Sequence, residues 1–184
     1  MVDGLDGSGK STVAAELVSR LQAQGRTVLY AEHPRRETYF GRLSRKYLLK
    51  RGKPAVVLAA MFYFFDVLGS IRSVRRTDCD DVVFVRYLLE VAYFPDSLYR
   101  MCYAVASGVL EEQDVSIFVD TDPDIAFERI QLRGDDIEVF ETPSNLSSTR
   151  GKMMDLAKDW YIIDNSGTQE ETFAQLDAVL ARVS

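Results

Sequence analysis

Gly4-Leu5-Asp6-Gly7-Ser8-Gly9-Lys10-Ser11, with Thr12 behind it, satisfies G-x-x-x-x-G-K-[ST] in full. Chance produces that pattern in roughly 0.6% of chains this long, so the match carries weight. A stub of strand, Val2-Asp3, precedes it, and Val13, Leu17, Val18 and Leu21 follow at helical spacing up to Gly25. Strand, glycine-rich turn and helix are the setting this loop needs. The glycines let the backbone curl until successive N–H groups face phosphate oxygens, and the helix N-terminus adds partial positive charge. Gly4 to Thr12 is therefore expected to bind a nucleoside triphosphate, ATP if the chain is a kinase. Lys10 would reach the β- and γ-phosphates, and the Ser11 hydroxyl would ligate Mg²⁺.

Downstream, helical and extended segments alternate. Strands are predicted at Thr27–Ala31, Val82–Val85, Val115–Val119 and Trp160–Ile163. Helices are predicted through Phe40, Leu43, Tyr47 and Leu48, then through Leu58 to Leu68, which should be largely buried. Others run through Leu98 to Val109, from Asp122-Pro123 to about Arg133, and through Phe173 to Val183. Gly134 to Thr149 reads as polar and poorly periodic. Five short strands alternating with helices imply right-handed crossovers. The expected fold is α/β: a three-layer α/β/α sandwich on a five-stranded parallel sheet, of the P-loop NTPase type.

The chain has 184 residues and net charge −6, with 47% apolar and 27% charged residues. That length fits one domain burying roughly 70% of its unfolded surface, and the composition excludes collagenous, disulfide-scaffold and disordered classes. Cys79 and Cys102 form neither a framework nor a metal spacing, so they read as reduced thiols of a cytoplasmic protein. The uncharged apolar run Ala55–Phe65 stops at Asp66, short of the ~20 residues that span a bilayer. With that run too short, no membrane partner is expected, and with no leader opening the sequence nothing is expected to route it to secretion. Only Met1 to Asp3 precede the loop, and a native start upstream of Met1 stays open. Net acidity weighs against a nucleic-acid polymer. Yet Arg35 to Lys53 holds eight bases and one acid, a +7 segment inside a chain otherwise at −13.

No guanine-reading N-K-x-D follows Asn145 or Asn165, and no D-x-x-G switch ends a strand. A small kinase fits better than a GTPase. The loop, including its Asp6, resembles that of the thymidylate kinase family of nucleoside monophosphate kinases, and the resemblance covers nearly the whole chain. It implies that Asp6 holds the acceptor's 3′-hydroxyl. Val85-Arg86-Tyr87 with Ala92-Tyr93 resembles the family's D-R-[YH] and A-Y-Q motifs, which puts Arg86 on the phosphoryl in transfer and Tyr93 on the acceptor. Val119-Asp120, Ala126, Arg129, Arg133-Gly134-Asp135 and Phe140-Glu141 are similar to the family's strand, helix and lid, about residues 133–150. Arg133, or else Arg129, would then supply transition-state charge. Phe62 falls at the base-stacking position of the acceptor helix, where a core role is the other reading. Arg45, with Arg42 as its competitor, would grip the acceptor phosphate. Family members commonly form homodimers, and apolar positions on the Leu58–Leu68 helix would suit one.

The departures gather where thymine would be read. Asp66 replaces an arginine, Phe94 a glutamine and Val85 an acid, Arg86 to Ala92 is one residue short, and His33-Pro34 stands for Glu-Pro. A carboxylate at a base edge accepts from an exocyclic amine, so Asp66 raises the expectation of a pyrimidine other than thymine, with dTMP still ranked first. With no acid at Val85, Asp3 is the nearest candidate to help Mg²⁺, and Asp120 the second. A deoxynucleoside kinase and a catalytically weak nucleotide-binding protein acting through a partner are the alternatives. His33 reads as a strand-end residue.

Overall fold

The computed structural model describes residues 1–50, 52–110, 113–134 and 141–183. Asp135 and Phe140 of the expected lid, and Arg51 of the basic segment, lie outside the described residues. The first half runs β1 (Val2–Gly4), α1 (Lys10–Ala23), β2 (Val28–Glu32), α2 (Tyr39–Leu48), α3 (Lys53–Val74) and β3 (Asp81–Val85). A short 3-10 helix, Leu89–Tyr93, leads to α4 (Tyr99–Val109) and β4 (Ile117–Asp120). The chain closes with α5 (Pro123–Arg133), α6 (Pro143–Leu156), β5 (Tyr161–Asp164) and α7 (Gln169–Val183).

The five strands form one parallel sheet in the order β2-β3-β1-β4-β5, the expected α/β sandwich. The three-residue β1 is central and fully buried between β3 and β4. From β1 the chain first builds the β2–β3 side and then returns to build the β4–β5 side. Ligands bind at the strand C-termini beside such a reversal, and the phosphate loop leaves β1 there.

Side-chain alternation sorts the sheet's two faces. Val83 and Val85 pack with Val13, Leu17 and Leu21 of α1 and Leu176 of α7. Phe84 faces the opposite way, against Val67 and Ile71 of α3 and Ala106 of α4, while Phe118 meets α5 and α6 through Ile130, Leu146 and Met153. Each such large side chain, fully buried, contributes roughly 1.5–3 kcal/mol. These packed layers hold the loop's two ends in fixed positions.

Two elements depart from the sequence reading. The second half of the polar stretch is α6, capped by the Thr142 hydroxyl, which accepts from the Asn145 N–H, with Pro143 in the first turn. Its buried residues Leu146, Thr149 and Met153 recur at 3 and 4, a helical stripe interrupted by a threonine. The helix α3 also runs beyond the expected Leu58–Leu68 at both ends, from Lys53 to Val74, and it is only partly buried, with Met61 and Phe65 exposed where a largely buried helix was expected. Pro54–Val74 is consequently long and apolar enough, by length and composition, to cross a bilayer, although a third of it is buried here. Asp66 is tolerated because its buried carboxylate accepts from the Arg35 N–H at 2.8 Å, Arg35 Nε at 3.2 Å and the Thr38 hydroxyl at 2.5 Å.

Candidate active site

The loop is shaped by its glycines. Gly7 and Gly9 hold φ of 78° and 84°, left-handed values that side chains resist. A Cβ on Gly7 would strike the Ala126 carbonyl oxygen, and one on Gly9 the Asn165 amide. Gly4 passes as tightly beneath the Val119 carbonyl. The Ser8 carbonyl is tied down by Asn165 Nδ2 at 2.7 Å and the Thr121 hydroxyl at 3.2 Å, which anchors the loop to β4 and β5. Among the described residues no side chain caps α1 at Gly9, and while the Thr12 N–H turns to the Gly9 carbonyl at 3.0 Å, those of Lys10 and Ser11 stay available to an anion. The Ser8 hydroxyl is buried with no hydrogen-bond partner among the described residues. Thr12 is exposed on the first turn of α1, and Leu5 is buried in the core and offers its carbonyl to Lys10 Nζ at 2.8 Å.

Asp6 is the hub. Its Oδ1 accepts from Lys10 Nζ at 3.2 Å and Arg86 Nη2 at 2.7 Å, and its Oδ2 accepts from the Tyr93 hydroxyl at 2.7 Å. Burial alone would raise this carboxyl, but Lys10 and Arg86 outweigh it and hold Asp6 well below the usual carboxylate range. Arg86 stands at the C-terminal end of β3 with φ 56°, a strained backbone for an arginine. Its guanidinium also pairs with Glu32 at 3.2 Å and lies 3.7 Å from Glu90. Loop, Lys10, Ser11, Asp6, Arg86 and Tyr93 are thus brought to one point, as their motifs imply.

Beside that point opens a cavity of about 1170 Å³. Arg36 and Arg45 line it, as do Tyr63 and Phe64 of α3 and Glu90, Tyr93 and Arg133. Arg133 Nη2 also donates to the buried Glu141 at 2.8 Å. Arg129 donates Nη2 to the Asn165 carbonyl at 3.0 Å, and its buried Nη1 has no hydrogen-bond partner among the described residues.

Five candidates move out of their expected places. Asp3 is fully buried, and its carboxylate accepts the backbone N–H groups of Tyr87, Leu88 and Leu89, each at 3.0 Å. It clamps the segment after β3 and has no face left for a cation. Asp120 is gripped by Arg150 through two bonds of 2.7 Å. Asp66 serves Arg35 and Thr38 and does not line the cavity, so it reads no base edge. Phe62 points at α2, its ring 5.7 Å from Tyr47 and 6.3 Å from Phe40. Arg42 spends its guanidinium on the Glu37 carbonyl at 2.8 Å, outside the cavity that Arg45 lines.

Two carboxylates absent from the sequence reading take their place. Glu32 ends β2, and its Oε1 accepts from the Ser11 hydroxyl at 2.8 Å while Oε2 accepts from Tyr30 at 2.9 Å. Partial burial would raise it, but those bonds and Arg86 keep it below its ordinary value and ionised. Glu90 lines the cavity with Oε1 unbonded among the described residues. Burial, and the charge of Asp6 beside it, push its carboxyl up to about 8 despite Arg86. Only the shortened Arg86–Ala92 spacing marked that region in sequence.

Fold and site together are those of a P-loop kinase of the nucleoside monophosphate type. Comparison with known proteins narrows this. The thymidylate kinase family matches residues 2–176, and the chain belongs to that family. A Pyrobaculum aerophilum protein named "Probable thymidylate kinase" is 28% identical over 189 residues, covering 99% of this chain and 95% of its own length. The thymidylate kinase of Xanthomonas euvesicatoria pv. vesicatoria is 26% identical over 201 residues, covering 97% of this chain and 81% of its own. The solved thymidylate kinase of Candida albicans superposes with a TM-score of 0.73 at 19% identity, covering 98% of this chain and 89% of that one. That last likeness concerns the fold.

Proposed function

We propose that the protein transfers the γ-phosphate of ATP to a deoxynucleoside monophosphate, with dTMP the favoured acceptor. The observation that carries this is the pairing of a complete phosphate loop with a large cavity that opens from it and is lined by Arg36 and Arg45 as well as by Asp6 and Ser11 of the loop. An acceptor that already bears a phosphate needs such cations. The family name of its relatives supports dTMP, and with Asp66 turned away from the cavity its argument for another base falls.

A phosphate monoester is already a nucleophile, so no general base is required, and positioning with charge neutralisation supplies the catalysis. Loop N–H groups and Lys10 would hold the donor phosphates, Arg86 would bridge donor and acceptor, and Arg45 would fix the acceptor phosphate. Asp6 and Tyr93 would meet the sugar. Arg129 and Arg133 would add positive charge from the lid side. Mg²⁺ fits the site, since the Ser11 hydroxyl and a carboxylate stand together at the loop. When bound, it neutralises charge on the donor phosphates. Two free cysteines fit work in a reducing cytoplasm.

The test is ADP release from ATP and Mg²⁺ across a panel of nucleosides and nucleoside monophosphates. dTMP should stimulate release most, and Lys10→Ala should abolish it while the far-UV spectrum and melting curve stay near wild type. Stimulation by nucleosides alone would replace the reading with a nucleoside kinase. No stimulation by any acceptor would leave a nucleotide-binding protein.

A further inference from the structure

P-loop enzymes hold Mg²⁺ with the loop Ser/Thr hydroxyl and an acid at a neighbouring strand end. In this chain the strand ends can be taken in turn. Behind β1, Asp3 is consumed by three backbone N–H groups. At the end of β3 stands Val85, which is apolar and fully buried. Asp120 of β4 is held in both oxygens by Arg150. Asp164 of β5 accepts the Ser166 N–H, in a turn at the sheet's far edge. Glu32 of β2 remains, and its Oε1 touches the Ser11 hydroxyl.

We infer that Glu32 is the protein carboxylate of the Mg²⁺ site, acting with Ser11 in place of the acid that β3 lacks at Val85. Parallel pairing sets Glu32 opposite Val85 in register. Paired residues of adjacent strands project from the same face of a sheet, so both side chains share the face that carries α1 and Ser11. Glu32 thus delivers, from one strand over, a carboxylate to the edge of the loop.

The spacing fits the ion. Mg²⁺ keeps its oxygens at 2.0–2.1 Å in octahedral geometry, which places adjacent ligands about 2.9 Å apart. Ser11 Oγ and Glu32 Oε1 are 2.8 Å apart. One carboxylate, one hydroxyl, waters and donor phosphates make a ligand set ordinary for this ion. Tyr30 donates to Oε2 at 2.9 Å and so fixes the carboxylate plane, leaving Oε1 directed at Ser11. Arg86 also approaches Oε1, at 3.2 Å, but its shorter bond to Asp6 at 2.7 Å keeps it in place when Oε1 turns to the cation.

This inference rests on the kinase reading, and the test separates the two. Mn²⁺ binding to the protein–ADP complex is measured by electron paramagnetic resonance for wild type, Glu32→Gln and Tyr30→Phe, with metal-free ADP affinity as the companion readout. Glu32→Gln should weaken Mn²⁺ binding by about 10- to 100-fold and leave metal-free ADP binding within about twofold. Tyr30→Phe alters only a half-exposed hydroxyl, so it keeps the test open if Glu32→Gln folds poorly. It should weaken Mn²⁺ by about tenfold. Unchanged Mn²⁺ affinity in both variants, with a raised acceptor KM in Glu32→Gln, would make Glu32 a positioning partner of Arg86 and overturn the inference alone. Wild-type protein that binds no Mn²⁺ with ADP would bring down the inference and the kinase reading together.

Discussion

At the scale of single residues, the buried ionisable groups make stability depend on pH in two directions. Glu90 holds its proton up to about pH 8, whereas an exposed glutamate releases it near 4.5. The folded state binds the extra proton, so Glu90's contribution is complete below about 4.5 and lost as pH rises toward 8. His33 behaves oppositely. It is fully buried at the end of β2, its Nε2 donating to the Ser70 hydroxyl, which itself donates to the Val67 carbonyl. Burial lowers its pKa from 6.5 to about 4, and its contribution is complete above 6.5 and lost as pH falls toward 4. Thermal melts should therefore peak in mid-range, with each kcal/mol lost on either side costing roughly 2–4 °C. Glu90→Gln should flatten the alkaline side up to about pH 8. An unchanged alkaline slope in that variant would show that Glu90 is ionised in the folded protein.

At the scale of elements, helix starts were legible wherever a cap and an apolar stripe coincided. Asp122-Pro123 announces α5, and its carboxylate does accept the Asp124 N–H at 2.9 Å. Thr142-Pro143 carries the same signal for α6, but there the stripe is diluted by Thr149 and a run of serines, and the helix went unread. The cap predicts a measurable cost. Thr142→Ala should lose about 1 kcal/mol, a drop of roughly 2–4 °C in Tm, with little change in turnover at 25 °C. A melting curve that superposes on wild type would show that α6 is held by Leu146 and Met153 alone. The helix α3 teaches the converse. Its uncharged run ends at Asp66, yet the helix does not, because a carboxylate with three partners can lie on a buried face at little cost.

At the scale of the whole molecule, apolar side chains remain uncovered along α3 and α4. Val57, Met61 and Phe65 form a stripe on α3, and Met101, Val105 and Val109 one on α4, each more than 40% exposed, with Met61, Met101 and Val105 also lining the cavity. We propose that a second copy of the chain covers them, since such stripes are costly in water. Light scattering should give the mass of two chains, and Met61→Asp with Phe65→Asp should halve it. A wild-type mass of one chain would refute the pairing. The basic segment is resolved only at this scale as well: Arg35 is spent on Asp66 and Arg42 on a carbonyl, while Arg36 and Arg45 face the cavity. By itself the sequence determined the phosphate loop, the alternation of strands and helices, and Lys10, Ser11, Asp6 and Arg86 as a set. Loop pattern and hydrophobic period are local, written within a few residues of one another. The tertiary structure decided which carboxylates are free to act. Asp3 is claimed by amides 84 to 86 residues away, Asp66 by an arginine 31 away and Asp120 by one 30 away, while Glu32 comes to Ser11 across 21. A carboxylate's availability is set by partners that only folding brings to it.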